Sequence, residues 1–238
     1  MATVRIDKFL KDQGIATRSE LKDIIRKGRV RVGNDLCTDP GLHIDPDIDR
    51  IFLNGSLISY KRFVYLMMNK PKGVITATED KRAETVLDLL ADKYRRMDVF
   101  PVGRLDKDTE GLLIITNNGD LAHNLLSPKK HVMKLYEAQL DRFPGESAIT
   151  AFNEGVVINS EFKALPAVLR YIGMNPTIAQ VEVYEGKFHQ VKRMFKAVGA
   201  EVIALKRLKM GELRLDESLK PGESRELSEN EINMLGAG

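Results

Sequence analysis

The sequence predicts an α+β protein: a small N-terminal unit of two helices and short strands, then a larger domain built on a mixed, largely antiparallel sheet flanked by helices. Three observations predict it. Over the first 60 residues, apolar positions at helical spacing give way to short alternating runs. From about Phe63 onward, strand-like and helix-like segments interleave, with no internal repeat. The 238 residues, 43% of them hydrophobic, can bury a sizeable core, either as one large domain or as a small one plus a larger one. The polar stretch Ser59-Tyr60-Lys61-Arg62 reads as a linker, which sets the expected domains at 1–60 and 61–238.

Each element has a local reason. Ile6, Phe9 and Leu10 repeat at helical spacing, and Gly14 breaks that helix. Thr17 and Glu20 form a capping-box pattern ahead of Leu21, Ile24 and Ile25, and Gly28 ends this second helix. Arg29 to Val32 alternates basic and apolar, as a half-buried strand does, and Gly33-Asn34 and Asn54-Gly55 are turn signals. Further on, Phe63 to Met68 reads as a strand and Thr85 as the cap of a helix with Val86, Leu89 and Leu90 inward. Gly111 to Thr116 reads as a buried strand, and Asp120 as the cap of a short helix holding Leu121 and Leu125. Leu135 to Leu140 and Ile178 to Tyr184 read as strands. Val191, Met194, Phe195 and Val198 follow the i, i+3, i+4, i+7 pattern in a helix over His189 to Val198 that Gly199 stops.

The net charge of +3 says little about partners, but its distribution says more. Residues 1–31 carry nine Lys/Arg against four acids, whereas residues 32–60 carry one Arg against five Asp. A second excess, seven cations against one acid, lies in 187–209. Such clusters suit phosphate. The single cysteine, Cys37, excludes an intrachain disulfide and suits a reducing compartment. The four histidines lack zinc-site spacing, and no apolar run approaches the ~20 residues needed to span a bilayer. No metal, no membrane association and a cytoplasmic location are the expectations.

Two strings carry chemistry. The first unit contains Arg5-Ile6-Asp7-Lys8-Phe9-Leu10, then Thr17-Arg18-Ser19-Glu20-Leu21 and Ile24 to Val32. Over about residues 2–50 this resembles the S4 RNA-binding module, with Gly33-Asn34 where that module usually has Asn-Gly. The resemblance implies RNA contacts from Arg5, Lys8, Arg18, Lys22, Arg26, Lys27, Arg29 and Arg31. The second string is Gly103-Arg104-Leu105-Asp106-Lys107-Asp108-Thr109-Glu110-Gly111-Leu112-Leu113. Physically it is a polar loop bearing an acid that enters a buried strand, a place where a carboxylate can be held rigidly beside a cleft. By itself, an Asp there is more often a turn residue. The whole string, however, closely resembles the signature of the pseudouridine synthases, in particular their RsuA/RluB-type branch. Asn69-Lys70-Pro71-Lys72-Gly73-Val74, Glu185 to Phe195 and Arg207 to Leu215 resemble further motifs of that family, so the likeness covers nearly the whole chain.

The resemblance implies a fold, a reaction and roles. Asp106 would be the catalytic acid, Tyr136 would lie against the target base, and Lys192 would pair with Asp106 where many relatives have Arg. An ammonium keeps the charge of that partner but loses the planar fork. Asp108 is expected to be structural. Arg104, His189, Gln190 and Arg193 would face RNA, with helix capping an open alternative for His189 and Gln190. Isomerising uridine to pseudouridine moves the ribose from N1 to C5 with no net redox change, so no cofactor is expected. Either attack at the sugar or removal of a ribose proton would use an ionised Asp106, and a cation such as Lys192 would favour that form. The target must be flipped out of its helix. The expected partner is ribosomal RNA or a small-subunit assembly intermediate, bound by a monomer. Two stretches, Ser127 to His131 and Gly186 to Lys192, look most like small-subunit (16S) rRNA enzymes. A large-subunit (23S) rRNA enzyme and a non-catalytic rRNA-binding or assembly protein are the competing readings.

Overall fold

The computed structural model describes residues 3–160 and 162–236. The chain divides into two compact units, one of residues 1–64 with 90–100, the other of residues 65–89 with 101–238.

The first unit contains β1 (Val4–Arg5), α1 (Ile6–Asp12), α2 (Arg18–Arg26), β2 (Val30–Val32), β3 (Asp35–Cys37), β4 (His43–Ile44), β5 (Ile51–Leu53) and β6 (Ser56–Leu57). α2 starts where the capping box requires: Glu20 N–H donates to Thr17 Oγ1, and Thr17 N–H donates to the Glu20 carboxylate at 2.8 Å. Its apolar side is fully buried at Leu21 and Ile25 against Ile6, Phe9 and Leu10 of α1 and Val30 of β2. Burying each such side chain contributes about 1.5–3 kcal/mol. The antiparallel strands run in the order β3-β2-β5-β6. Gly33 takes φ +57° at the first centre of the β2–β3 turn, the type II′ pattern, so reversing Asn-Gly to Gly-Asn changes the turn and leaves the hairpin intact. The Ser59–Arg62 stretch is tied down rather than loose: Lys61 N–H donates to Gln13 Oε1 and Gln13 Nε2 donates to the Lys61 carbonyl.

The second unit opens with β7 (Tyr65–Lys70). A short helix, α3 (Asp92–Arg95), belongs to the first unit, where the nearby Asp98 pairs with Lys11 of α1. There follow β8 (Phe100–Pro101), β9 (Thr109–Thr116), α4 (Gly119–Leu126), β10 (Lys134–Leu140), α5 (Ser147–Glu154), β11 (Val157–Asn159), β12 (Phe162–Lys163), β13 (Val168–Tyr171), β14 (Ile178–Val183), α6 (Gln190–Ala197), β15 (Val202–Met210), β16 (Leu213–Arg214), β17 (Ser224–Glu226) and α7 (Glu229–Met234). The main sheet runs β13-β14-β10-β15-β9-β7-β17, with β16 on β15. These pairings are antiparallel except β15 with β9, which is parallel over three residue pairs, Leu205–Thr109, Lys206–Glu110 and Arg207–Gly111. The sheet is thus mixed and largely antiparallel, as the sequence predicts. α5 and α6 bury Phe152, Met194 and Phe195 against Ala138, Leu140, Val181, Val183 and Leu205 of one sheet face.

Two sequence expectations are corrected. Thr85 caps no helix. Its backbone bridges to Ile75, and its N–H and Oγ1 both donate to the Asp88 carboxylate at 2.8 Å, which closes one turn and ends there. Val86 and Leu90 are nonetheless buried. At α4 the cap is Asn118, whose Oδ1 accepts the Leu121 N–H at 3.1 Å; Asp120 is already inside the helix.

Candidate active site

Asp106 lies in the loop that feeds β9, and that loop is fastened from below. The Lys70 side chain, at the end of β7, is wholly buried. Its ammonium donates to the carbonyls of Pro71 (3.0 Å), Asp106 (3.1 Å) and Thr109 (3.0 Å), with Lys107 at 3.4 Å. Burial pushes its pKa down to about 8, against the opposing pull of the Asp108, Asp106 and Glu110 charges. Thr76, also buried, donates through Oγ1 to the Leu105 carbonyl at 2.8 Å and accepts the Leu105 N–H at 3.2 Å. The backbone on both sides of Asp106 is therefore pinned by side chains about 30 residues earlier in the chain.

The Asp106 carboxylate faces two cationic or potentially cationic groups, Lys192 Nζ at 3.3 Å and His189 Nε2 at 3.4 Å. Lys192 projects from α6 and also donates to Asp108 Oδ1 at 2.5 Å, so one ammonium bridges two carboxylates. That hydrogen bond holds the Asp108 carboxyl below its usual range, against the opposing effect of its partial burial. A cavity beside this cluster is lined by Arg104, Leu105, Asp106, Thr109, Tyr136, Val183, Gln190 and Leu205. Tyr136 reaches it from β10, two strands from β9 in the sheet. Thr109, in the cavity wall, has a buried hydroxyl without a hydrogen-bond partner among the described residues.

Asp106, Tyr136, Lys192, Arg104, His189 and Gln190, picked from separate strings of the sequence, thus come together at one place. Lys192 does so with a difference: its shorter contact is to Asp108, which makes Asp108 the carboxylate that positions the ammonium. Gln190 is buried, and its amide is engaged within its own loop, accepting the Lys187 N–H at 2.9 Å and donating to Glu185 at 2.8 Å. It shapes the cavity wall and has little left to offer RNA. His189 has a left-handed backbone (φ +49°) and no capping hydrogen bond from its ring. Arg193 lies over the Phe162 ring, its guanidinium 5.8 Å from the centroid.

The basic count over 187–209 does not form one surface. Arg207 is buried and donates to the Leu112 carbonyl at 2.8 Å. Lys206 sits opposite Glu137 and lines a groove on the other face of the sheet from Tyr136, and Lys209 pairs with Glu212. Alternation along β15 scatters cations that lie close in the sequence. In the first unit, Arg18, Lys22 and Arg26 are exposed along α2 at four-residue spacing, as are Lys27, Arg29 and Arg31 beyond it. Arg5 and Lys8 are paired with Asp7 and Asp12. Sequence reasoning missed the pinning of the Asp106 loop by Lys70 and Thr76. The Asn-Lys-Pro string flagged the first of these without its role.

The model of the RNA pseudouridylate synthase family matches residues 64–197, and the S4 domain model matches residues 4–47. The chain belongs to the RNA pseudouridylate synthase family. It is 46% identical over 234 residues to the uncharacterized RNA pseudouridine synthase YtzG of Bacillus subtilis, covering 98% of both chains. It is 39% identical to ribosomal small subunit pseudouridine synthase A of Vibrio cholerae, covering 96% of this chain and 98% of that one. Identity to ribosomal large subunit pseudouridine synthase B of Bacillus subtilis is 34%, with 98% and 96% covered. A crystal structure of a pseudouridylate synthase superposes with a TM-score of 0.68 at 32% identity, covering 98% of this chain and 99% of that one. This pseudouridine synthase therefore combines an S4 domain with the catalytic fold of its family. Among its described residues, no helix is long and apolar enough to cross a membrane, and no group of three or more His, Cys, Asp or Glu side chains could hold a metal ion.

Proposed function

We propose that this enzyme isomerises one uridine of small-subunit (16S) ribosomal RNA to pseudouridine, with the Asp106 carboxylate as the catalytic group acting on an extruded nucleotide. The observation that carries the reading is the Asp106 cluster: an acid on a pinned loop, at a cavity that also holds the Tyr136 ring, with Lys192 and His189 within 3.4 Å. In this reading the uracil enters against Tyr136 and the ribose faces Asp106. Stacking on the ring, ~1–3 kcal/mol, offsets part of the few kcal/mol needed to unstack the base. Lys192 gives the acid a counter-charge at 3.3 Å once RNA excludes water, and Asp108 keeps Lys192 in place. As the N1–C1′ bond breaks and the C5–C1′ bond forms, C5 gives up its proton to solvent and the freed N1 takes one up, so the reaction is read by release of label from C5.

The 16S assignment is supported by the Gly186-Lys187-Phe188-His189-Gln190-Val191-Lys192 string and by the identity to a relative named for the small subunit. The first 60 residues would act as the RNA-gripping domain, through exposed cations on and after α2 that position phosphates without reading sequence. A ribosomal substrate and the lone, buried thiol of Cys37 fit a monomer working in the cytoplasm.

The test uses C5-tritiated ribosomal RNA from cells lacking the protein. Wild-type enzyme should release tritium from 16S rRNA, and Asp106→Asn should release none while still binding. Release from 23S rRNA alone would transfer the assignment to the large subunit. Release persisting in Asp106→Asn would remove Asp106 from its role.

A further inference from the structure

Two clefts meet at Asp106. The inner one holds Tyr136. The outer one, about 530 Å³ against about 70 Å³, is lined by Ile75, Thr76, Lys107, Asp108 and Phe188. Arg104, Asp106 and His189 belong to both. Phe188 is 76% exposed, an unusual position for a phenyl ring that sits between a lysine and a histidine. Its ring stacks on that of His189, with centroids 3.9 Å apart and planes 15° from parallel. The backbone holds it there: His189 adopts the left-handed conformation, and Gln190 clamps the Glu185–Lys187 turn just before the ring.

A displayed aromatic ring backed by a second flat ring, beside the exposed cations Arg104, Lys107 and Lys187, matches the chemistry of a base with its phosphates. An apolar protein partner would find a single ring among cations and no contiguous apolar patch. We propose that the outer cleft is a second nucleotide subsite, in which Phe188 stacks on the base adjacent to the target uridine. This rests on the reading that the inner cavity takes the target. Because Asp106 is shared, a target ribose facing it leaves the neighbouring nucleotide in the outer cleft, and stacking there holds the strand while the target is extruded. Phe188 is a positioning residue: it fixes the strand, and Asp106 does the chemistry.

The test compares wild type, Phe188→Ala and Phe188→Tyr on an oligoribonucleotide bearing the mapped target uridine. Phe188→Ala should raise KM about ten- to hundredfold, with kcat at saturating RNA nearly unchanged. Phe188→Tyr should restore KM. An abasic site at one neighbour of the target should raise the wild-type KM by a similar factor and add nothing in Phe188→Ala. Equal KM for wild type and Phe188→Ala, or abasic effects undiminished in Phe188→Ala at both neighbours, would overturn the proposal. Placing 2-aminopurine at those neighbours reads the stack without turnover: wild type should quench it and Phe188→Ala should not. A wild-type enzyme that releases no tritium yet quenches the probe would count against the uridine reading and leave the stack standing. Absence of quenching at both neighbours would count against the stack.

Discussion

The Asp106 loop and the α2 surface, both proposed to serve RNA, are built in opposite ways. The loop is held by buried hydrogen bonds: one ammonium on four carbonyls and one threonine gripping Leu105 at both its N–H and its C=O. The α2 cations stand in solvent, spaced along a helix whose other side packs on α1. Chemistry needs a carboxylate placed to a fraction of an ångström, and buried polar contacts supply that. Phosphate attraction acts through several ångströms of water and tolerates mobile side chains. Damage should therefore be concentrated at the loop and distributed over the helix.

The largest expected effect follows from Asp106→Asn, which should lower tritium release on the order of 10⁴-fold or more with RNA affinity retained. A comparable loss from any single α2 change would break the contrast. Next is Lys70→Met, which removes the donor from buried carbonyls. Each group left unpaired costs about 1–3 kcal/mol, so a drop in Tm of several degrees and a fall in kcat are expected. The pH dependence has a defined sign. With a folded pKa of about 8 and an unfolded value near 10.4, the unfolded state binds the proton more tightly. The stability contributed by this group is complete above the unfolded value and is lost as pH falls through about 8. Denaturant melts of wild type against Lys70→Met should diverge in wild type's favour between about pH 8 and pH 10.5, and a flat difference would contradict it.

Lys192→Met should be intermediate. It leaves two carboxylates facing one another without their shared cation, so kcat should fall about 10- to 100-fold. The Asp108 carboxyl, now held low by Lys192, should titrate higher, as ¹³C NMR of the side chain would show. The smallest effect per residue is expected on α2. Replacing Arg18, Lys22 and Arg26 with Gln should weaken RNA binding and reduce the slope of log K against log salt by about 0.7–0.9 per cation lost. kcat should hold, and each change should move stability by less than about 0.5 kcal/mol. An unchanged salt slope would remove α2 from the RNA surface.

What the sequence made legible follows the same division. The capping box at Thr17, the helix over Val191 and Phe195, and the strand behind Gly111 are local patterns, and local patterns can be read in one dimension. Asp106, Tyr136 and Lys192 could be singled out as candidates because each sits in a string with a recognisable order, and the fold brings the three to one place. The pinning of Asp106 by Lys70 was not, because it depends on β7 lying beside β9, a pairing between distant segments. Thr85 has the right residues for a helix cap, but its backbone is taken by a bridge to Ile75. Charge counting over 187–209 failed because a strand sends successive residues to opposite faces, and one of them, Arg207, is inside. Phe188 lies within the Glu185 to Phe195 string, but nothing there marked its ring, because an exposed ring and a core ring look identical until the fold is known.

The parallel seam between β15 and β9 has a further meaning. Gly111 takes φ +103° there, and a Cβ on it would lie 2.3 Å from the Arg207 carbonyl oxygen, so the two backbones meet with no side chain between them. β15 is the single strand between β9, which the Asp106 loop feeds, and β10, which carries Tyr136. The gap between the strand the acid's loop enters and the strand that bears the ring is consequently set by interstrand hydrogen-bond geometry, a spacing of about 4.8 Å per strand that every sheet shares. Rim loops can then differ in length and sequence while the two strands that frame the cavity keep the same separation.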